Sequence, residues 1–160
     1  MDVIEGLIAG HRDVGERRDV MEKLAKNINN DALFWEDAFK IMKFMDTEAR
    51  RHFAIEEKVL FPVARRVFPP AKLALFTELE ADHKEILGKI DSLGVLVKQH
   101  PAVPSKTTRE ELSAFAGGIM ESVILHAHKE DVALFPAVKE LFKPENYLEL
   151  EEYYYKFIGV

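Results

Sequence analysis

Cysteine is absent from the 160-residue chain. Its absence excludes disulfide bonds, zinc sites built on thiolates, iron–sulfur clusters and thiol nucleophiles. Long hydrophobic runs are absent too, because the longest uncharged stretch, residues 112–120, is far shorter than the roughly 20 apolar residues that a membrane helix requires. Any metal site must therefore use nitrogen and oxygen ligands, and we expect no membrane partner.

Clusters of basic residues are also scarce. The chain has 22 Lys and Arg against 28 Asp and Glu, a net charge of -6, which disfavours nucleic acids and anionic membranes as partners. The first residues contain no basic region followed by an apolar stretch, so no secretory signal is predicted. We expect a cytoplasmic protein that forms one domain over residues 1–160, and no feature of the sequence specifies its oligomeric state.

Helical periodicity fills most of the chain. Breaks at 27–31, 68–71, 100–106 and 143–146 separate four long stretches in which apolar residues recur every three or four positions. Short connections between such helices favour antiparallel neighbours. The sequence therefore predicts an all-α protein, an up-down-up-down four-helix bundle with a short C-terminal helix that begins near Pro144.

One polar pattern occurs twice on the apolar faces of these helices. The segments HFAIEEKVLFP and HAHKEDVALFP begin 74 residues apart, and each supplies a histidine and, four positions later, a glutamate. A lone histidine precedes each segment, and these two lie 72 residues apart. The six residues are His11, His52, Glu56, His83, His126 and Glu130. The duplication predicts a pseudo-two-fold bundle, in which Pro62 and Pro136 kink or end the second and fourth helices at equivalent places.

These six side chains have the chemistry of a two-metal site. Residues four apart lie on one face of a helix, so each histidine of a duplicated segment can bind one ion while its glutamate reaches a position between two ions. Imidazole and carboxylate without sulfur suit iron or manganese, and zinc less well. The Glu-x-x-His order of ferritin-like di-iron proteins is reversed here, which disfavours that class.

Each part of the pattern has a simpler interpretation when taken alone. A single histidine on an apolar face is more often a core side chain, and a single His-x-x-x-Glu pair is more often a surface pair. Those interpretations require four histidines and two glutamates to be placed independently on the inner faces of four helices, in a duplicated register. The repeated register therefore favours metal binding.

Neighbouring polar residues are assigned lesser roles. Glu57 and Asp131 adjoin the candidate glutamates and are expected to pair on the surface, whereas Glu48 and Asp82 are better placed to accept an imidazole N–H. The other two histidines, His100 and His128, are expected in solvent.

The duplicated His-x-x-x-Glu segments and their LFP endings resemble the hemerythrin-like, HHE cation-binding family, from about residue 3 to 142. The resemblance implies a four-helix bundle around two iron ions, joined by an oxo or hydroxo bridge, that interact with dioxygen, nitric oxide or peroxide. Oxygen-carrying members have a further histidine one turn after the third-helix ligand, where this chain has Leu87. The six-residue set is similar instead to that of the repair-of-iron-centres proteins.

The resulting expectation is a non-haem di-iron protein that binds and reacts with, or senses, small oxidants. Two histidines, two carboxylate oxygens and a bridging oxide would leave one position open on each iron, which favours reaction over reversible storage. No flavin or nicotinamide fingerprint is present, so the electron donor must be external. The alternative is an iron donor, or an iron or oxygen sensor, that acts through a protein partner. A helical interaction protein without metal is a third possibility, which the duplicated residues disfavour.

Overall fold

The computed structural model describes residues 2–99 and 105–160, and all regular secondary structure in these ranges is helical. The α-helices are α1 (Val3–Glu16), α2 (Arg18–Lys26), α3 (Asp31–Phe44), α4 (Arg50–Ile55), α5 (Phe61–Val67), α6 (Ala74–Gln99), α7 (Lys106–Lys129), α8 (Phe135–Leu141) and α9 (Pro144–Ile158). Three π-helical turns, Met45–Ala49, Glu56–Leu60 and Glu130–Leu134, join successive α-helices, and a 3₁₀ turn, Pro70–Lys72, precedes α6. His100 and most of the connection 100–106 lie outside the described residues.

These segments form four long helices. We name them helix I (α1 and α2), helix II (α3 to α5), helix III (α6) and helix IV (α7 and α8), with the π turns included in helices II and IV. Each packs on the next along the chain, and helix I also packs on helix IV, which closes the bundle. The predicted four-helix bundle is confirmed, and so is the C-terminal helix, α9, which packs on α1, α5 and the π turn of residues 56–60.

Local capping explains several helix boundaries. The Asp2 carboxylate accepts hydrogen bonds from the backbone N–H groups of Ile4 and Glu5 at the start of α1. Asn30 and Ser105 cap α3 and α7 in the same way. Helix I contains a break that was not predicted: α1 ends at Glu16, directly after Gly15, and α2 begins at Arg18.

The two duplicated prolines do not end their helices. Helix II continues past Pro62 to Val67, and helix IV continues past Pro136 to Leu141, so of the two predicted alternatives, a kink or an end, the end is wrong. A π turn precedes each proline, and in each the backbone N–H of the residue before proline bonds to the carbonyl of the glutamate five positions back. The wider turn accommodates a residue that lacks an N–H and would otherwise crowd the preceding carbonyl.

The apolar core has two parts, separated by a polar layer. One part surrounds Phe61, Phe76 and Leu134 near α9, and the other surrounds Phe34, Ile90 and Ile119 at the opposite end of the bundle. Among the described residues, four polar side chains are nonetheless buried: Glu56, His83, His126 and Glu130. They lie between the two parts along each helix, where polar burial requires compensation. No helix within the described residues is both long and apolar enough to cross a membrane.

Candidate metal centre

All six candidate ligands converge in this polar layer. Helices I and III each supply one histidine, and helices II and IV each supply a histidine and a glutamate. They form two overlapping sets: His11, His52, Glu56 and Glu130; and Glu56, His83, His126 and Glu130. Within each set the candidate ligand atoms lie within 4.8 Å of one another. We call the first pair of histidines half-site 1 and the second pair half-site 2; both glutamates belong to both half-sites.

The distances show how the glutamates are shared. Glu56 Oε1 lies 2.7 Å from His52 Nε2, while its Oε2 lies 2.9 Å from His83 Nε2. Glu130 Oε1 lies 3.3 Å from both His11 Nε2 and His126 Nε2. Each carboxylate therefore spans from one half-site to the other, which is the placement expected of a bridging ligand.

The environment of the glutamate oxygens suits a bound cation better than it suits two carboxylates without one. Both side chains are completely buried, and none of their four oxygens has a hydrogen bond of acceptable geometry, despite the nearby imidazole nitrogens. A buried carboxylate without partners is strongly unfavourable, and two of them side by side repel each other as well. Four imidazole nitrogens and four carboxylate oxygens around one space are a suitable donor set for two divalent cations.

Without metal, protons are the compensating charges. Burial lowers the pKa of His126, but the nearby carboxylates of Glu130, Glu56 and Asp82 outweigh it and raise the value to about 10. The pKa values of His83 and His11 are raised for the same kind of reason. Burial disfavours the charged form of Glu56, yet the surrounding imidazoles hold its pKa well below the ordinary value.

The outer nitrogens of three of the imidazoles bond to carboxylates. His11 Nδ1 lies 2.8 Å from Asp131 Oδ1, His83 Nδ1 lies 2.9 Å from Glu57 Oε1, and His126 Nδ1 lies 3.0 Å from Asp82 Oδ2. An N–H donated to a carboxylate at Nδ1 leaves the Nε2 lone pair free for a metal and fixes the orientation of the ring.

The sequence identified one of these three carboxylates. Asp82 was expected to accept an imidazole N–H, and the structure confirms it. Surface pairing for Glu57 and Asp131 is wrong, because both contact histidines of the centre. Their signal was the duplication itself, since the two residues are 74 positions apart, the same spacing as the candidate glutamates.

A comparison with protein families identifies the family of this chain. Residues 2–138 match the hemerythrin HHE cation binding domain. The chain belongs to the hemerythrin HHE family. No curated protein matches it closely enough to be reported as a relative. The family implies binding of non-haem iron, and the buried histidine and glutamate clusters agree with a metal site in this hemerythrin domain.

A cavity reaches the centre of this hemerythrin domain from one side. Its volume is about 250 Å³, and its wall comes from helices I, II and IV together with Tyr154 of α9. Both histidines of half-site 1, His11 and His52, line it, whereas in half-site 2 His126 lines it and His83 does not. Glu48, which the sequence placed beside an imidazole, lines this cavity and contacts no ring nitrogen among the described residues.

His83 of half-site 2 packs against aromatic side chains. The ring of His83 stacks on Phe53 at 4.2 Å between centroids and lies parallel to Phe61 at 5.9 Å. The side chain of His83 is 1% exposed, whereas that of His52 is 16% exposed. The two half-sites therefore differ in exposure, because both histidines of half-site 1 line the cavity, whereas of the two histidines of half-site 2 only His126 does.

Proposed function

We propose that this hemerythrin domain holds two iron ions and uses them to bind and react with, or sense, small oxidants such as dioxygen, nitric oxide or peroxide. The observation that carries the proposal is the sharing of two fully buried, unpartnered glutamates by two pairs of histidines. Such a set supplies two adjacent positions of equal ligand type, which a single-metal site does not require.

The chain contributes ligands and orientation. The Nε2 atoms of His11, His52, His83 and His126 would each bind one ion, and the carboxylates of Glu56 and Glu130 would lie between the two ions. Asp131, Glu57 and Asp82 hold three of the rings in the tautomer that leaves Nε2 free. Iron bound there would supply electrons to a small oxidant, and an external donor would restore them.

The cavity supports the choice of substrate class. About 250 Å³ accommodates a diatomic molecule or peroxide beside half-site 1, and its inner wall is mainly apolar, with Leu7, Val14 and Phe53 among its residues. Apolar walls exclude bulk water, which strengthens electrostatic interactions with a bound oxidant. The position one turn after His83 is the half-buried Leu87, so no additional imidazole is available there.

Metal analysis and optical spectroscopy test this proposal. Protein produced with ample iron should contain two iron ions per chain and, when oxidised, show charge-transfer absorption that the metal-free protein lacks. After reduction, stopped-flow mixing with dioxygen or nitric oxide should give irreversible oxidation or a stable nitrosyl spectrum. A single zinc ion per chain would refute the di-iron proposal, and repeated release of intact dioxygen under vacuum would indicate a carrier instead.

A second function, iron donation to a protein partner, is favoured by one observation. Both histidines of half-site 1 line the cavity, whereas His83 of half-site 2 is buried away from it, so an ion in half-site 1 would leave without opening of the bundle.

A further inference from the structure

The pseudo-two-fold symmetry of the centre is broken next to one histidine. The lone histidines His11 and His83 are equivalent by the duplication, so the residues before them, Gly10 and Asp82, are equivalent as well. Asp82 accepts the Nδ1 hydrogen bond of His126 in half-site 2. At the equivalent place in half-site 1 the chain has a glycine, which cannot offer a carboxylate to His52.

Gly10 is required by the position of the His52 ring. A Cβ atom at residue 10 would lie 2.8 Å from His52 Nδ1 and 3.2 Å from His52 Cε1, closer than folded proteins tolerate without displacement of one group. His52 is the one imidazole of the four for which the described residues provide no carboxylate partner at Nδ1. Its ring is thus held by its metal-facing contacts and by packing against helix I.

Half-site 2 has the opposite character. Both of its histidines bond to carboxylates through Nδ1, both are almost completely buried, and the His83 ring stacks on Phe53 and lies parallel to Phe61. Outer partners of this kind typically contribute about 10- to 100-fold to metal affinity. Of its two histidines only His126 lines the cavity, so an ion in half-site 2 would be less accessible from the cavity than one in half-site 1.

We propose that the two half-sites differ in lability: half-site 2 retains its ion, while half-site 1 is the position where metal enters and leaves. In half-site 1, His52 lies beside Gly10 and has no carboxylate partner at Nδ1 among the described residues. This inference rests on the proposed two-metal function. It assigns the exchangeable ion to the pair of histidines that both line the cavity, and it makes Gly10 a positioning residue for His52.

Release of iron to a coloured ferrous chelator under anaerobic conditions tests the proposal. Wild-type protein loaded with two ferrous ions per chain should release one ion in a fast phase and one in a slow phase, with rates that differ by about tenfold or more. Release of both ions in one phase would overturn the inference while leaving the two-metal function intact. Loading of fewer than two ions would overturn both.

Variants identify which ion is which. Gly10→Ala should displace His52, retain about one ion per chain and lose the fast phase. Gly15→Ala is the matched control, because it makes the same change in the same helix at a position where a Cβ meets no other atom within 4 Å. Asp82→Ala should accelerate the slow phase by about 10- to 100-fold and leave the fast phase unchanged.

The competing results are equally specific. Loss of the slow phase in Gly10→Ala, or an unchanged slow phase in Asp82→Ala, would refute the assignment. Circular dichroism of each variant checks the helical content. If Gly10→Ala does not fold, the wild-type phases and the Asp82→Ala variant still decide the question.

Discussion

At the scale of single residues, the two glutamates are the groups whose burial requires the most compensation. They are fully buried, their oxygens have no hydrogen-bond partners, and each faces imidazoles of both half-sites. Apolar residues would satisfy the packing of this layer at far lower free-energy cost. The proposed pair of cations would explain their presence, since divalent ions compensate carboxylates directly.

Removing either glutamate should therefore abolish the centre. Glu56→Ala and Glu130→Ala should each lose both ions, because each carboxylate serves both half-sites. Metal content by atomic emission after gel filtration measures the loss. His128→Ala, in the same helix as Glu130 but exposed, is the control and should retain two ions. Full metal content in either glutamate variant would show that its carboxylate does not bridge.

Substitution of the carboxylates that accept the imidazole N–H groups should have smaller effects on metal binding. Glu57→Gln keeps the size of the side chain but weakens the acceptor opposite His83 Nδ1, so metal affinity should fall by about 10- to 100-fold. Glu85→Gln removes only a surface pair with Lys89 and should leave affinity unchanged. Competition with a chelator of known affinity measures both, and equal affinities in the two variants would contradict the role of Glu57.

Residue identities were more predictable than residue directions. The six candidate ligands follow from a duplicated pattern, because each copy of the pattern supports the assignment of the equivalent residues in the other copy. Glu57 and Asp131 were misassigned because their directions were inferred from α-helical geometry, whereas both lie in π turns, where the angle between successive side chains differs. The effect of Gly10 depends on the distance between helices I and II, which no local pattern specifies.

At the scale of elements, periodicity predicted the four long helices and their order. Periodicity could not predict the π turns. A π turn inserts one extra residue, and the apolar residues before and after it still recur at helical spacing. Two of the turns begin at the candidate glutamates and precede the duplicated prolines, so the sequence contained their position but not their geometry. The third turn, Met45–Ala49, has no counterpart in α7, which runs without interruption through the equivalent residues.

The C-terminal helix α9 lies after the family match yet contributes to the core. Leu150 and Tyr154 are buried in the part of the core near Phe61, and Tyr154 also lines the cavity. Leu150→Ala should lower the free energy of unfolding by about 2–5 kcal/mol. Leu148→Ala is a matched control in the same helix: this side chain is 63% exposed, and the change should be within about 0.5 kcal/mol.

Urea denaturation of metal-free protein separates this effect from metal binding. Equal midpoints for the two leucine variants would mean that α9 packs on the bundle without stabilising it. A loss of metal in Leu150→Ala beyond that in Leu148→Ala would instead connect α9 with the wall of the cavity.

At the scale of the whole molecule, the bundle consists of two apolar cores joined by a charged layer, so its stability depends on what occupies that layer. Protons and metal ions compete for the same nitrogens. In the metal-free protein the imidazoles of His11, His83 and His126 have raised pKa values, which means that folding favours their protonated forms. In the loaded protein the same nitrogens must be deprotonated.

This competition predicts opposite pH dependence for the two states. A histidine whose pKa rises on folding stabilises the fold fully below its ordinary value of about 6.5, and the stabilisation is lost as pH rises toward the folded value, about 10 for His126. The thermal midpoint of metal-free protein should therefore fall between about pH 6.5 and 10. That of iron-loaded protein should rise over the lower part of this range, because acid returns protons to the ligands and releases the ions. Loading at neutral pH in weak buffer should also release protons, which an indicator dye detects.

Thermal melts of both states across this range, with ionic strength held constant, provide the measurement. Parallel curves for the two states, or loading without proton release, would mean that the buried imidazoles do not exchange protons for metal, and that a different set of groups compensates Glu56 and Glu130.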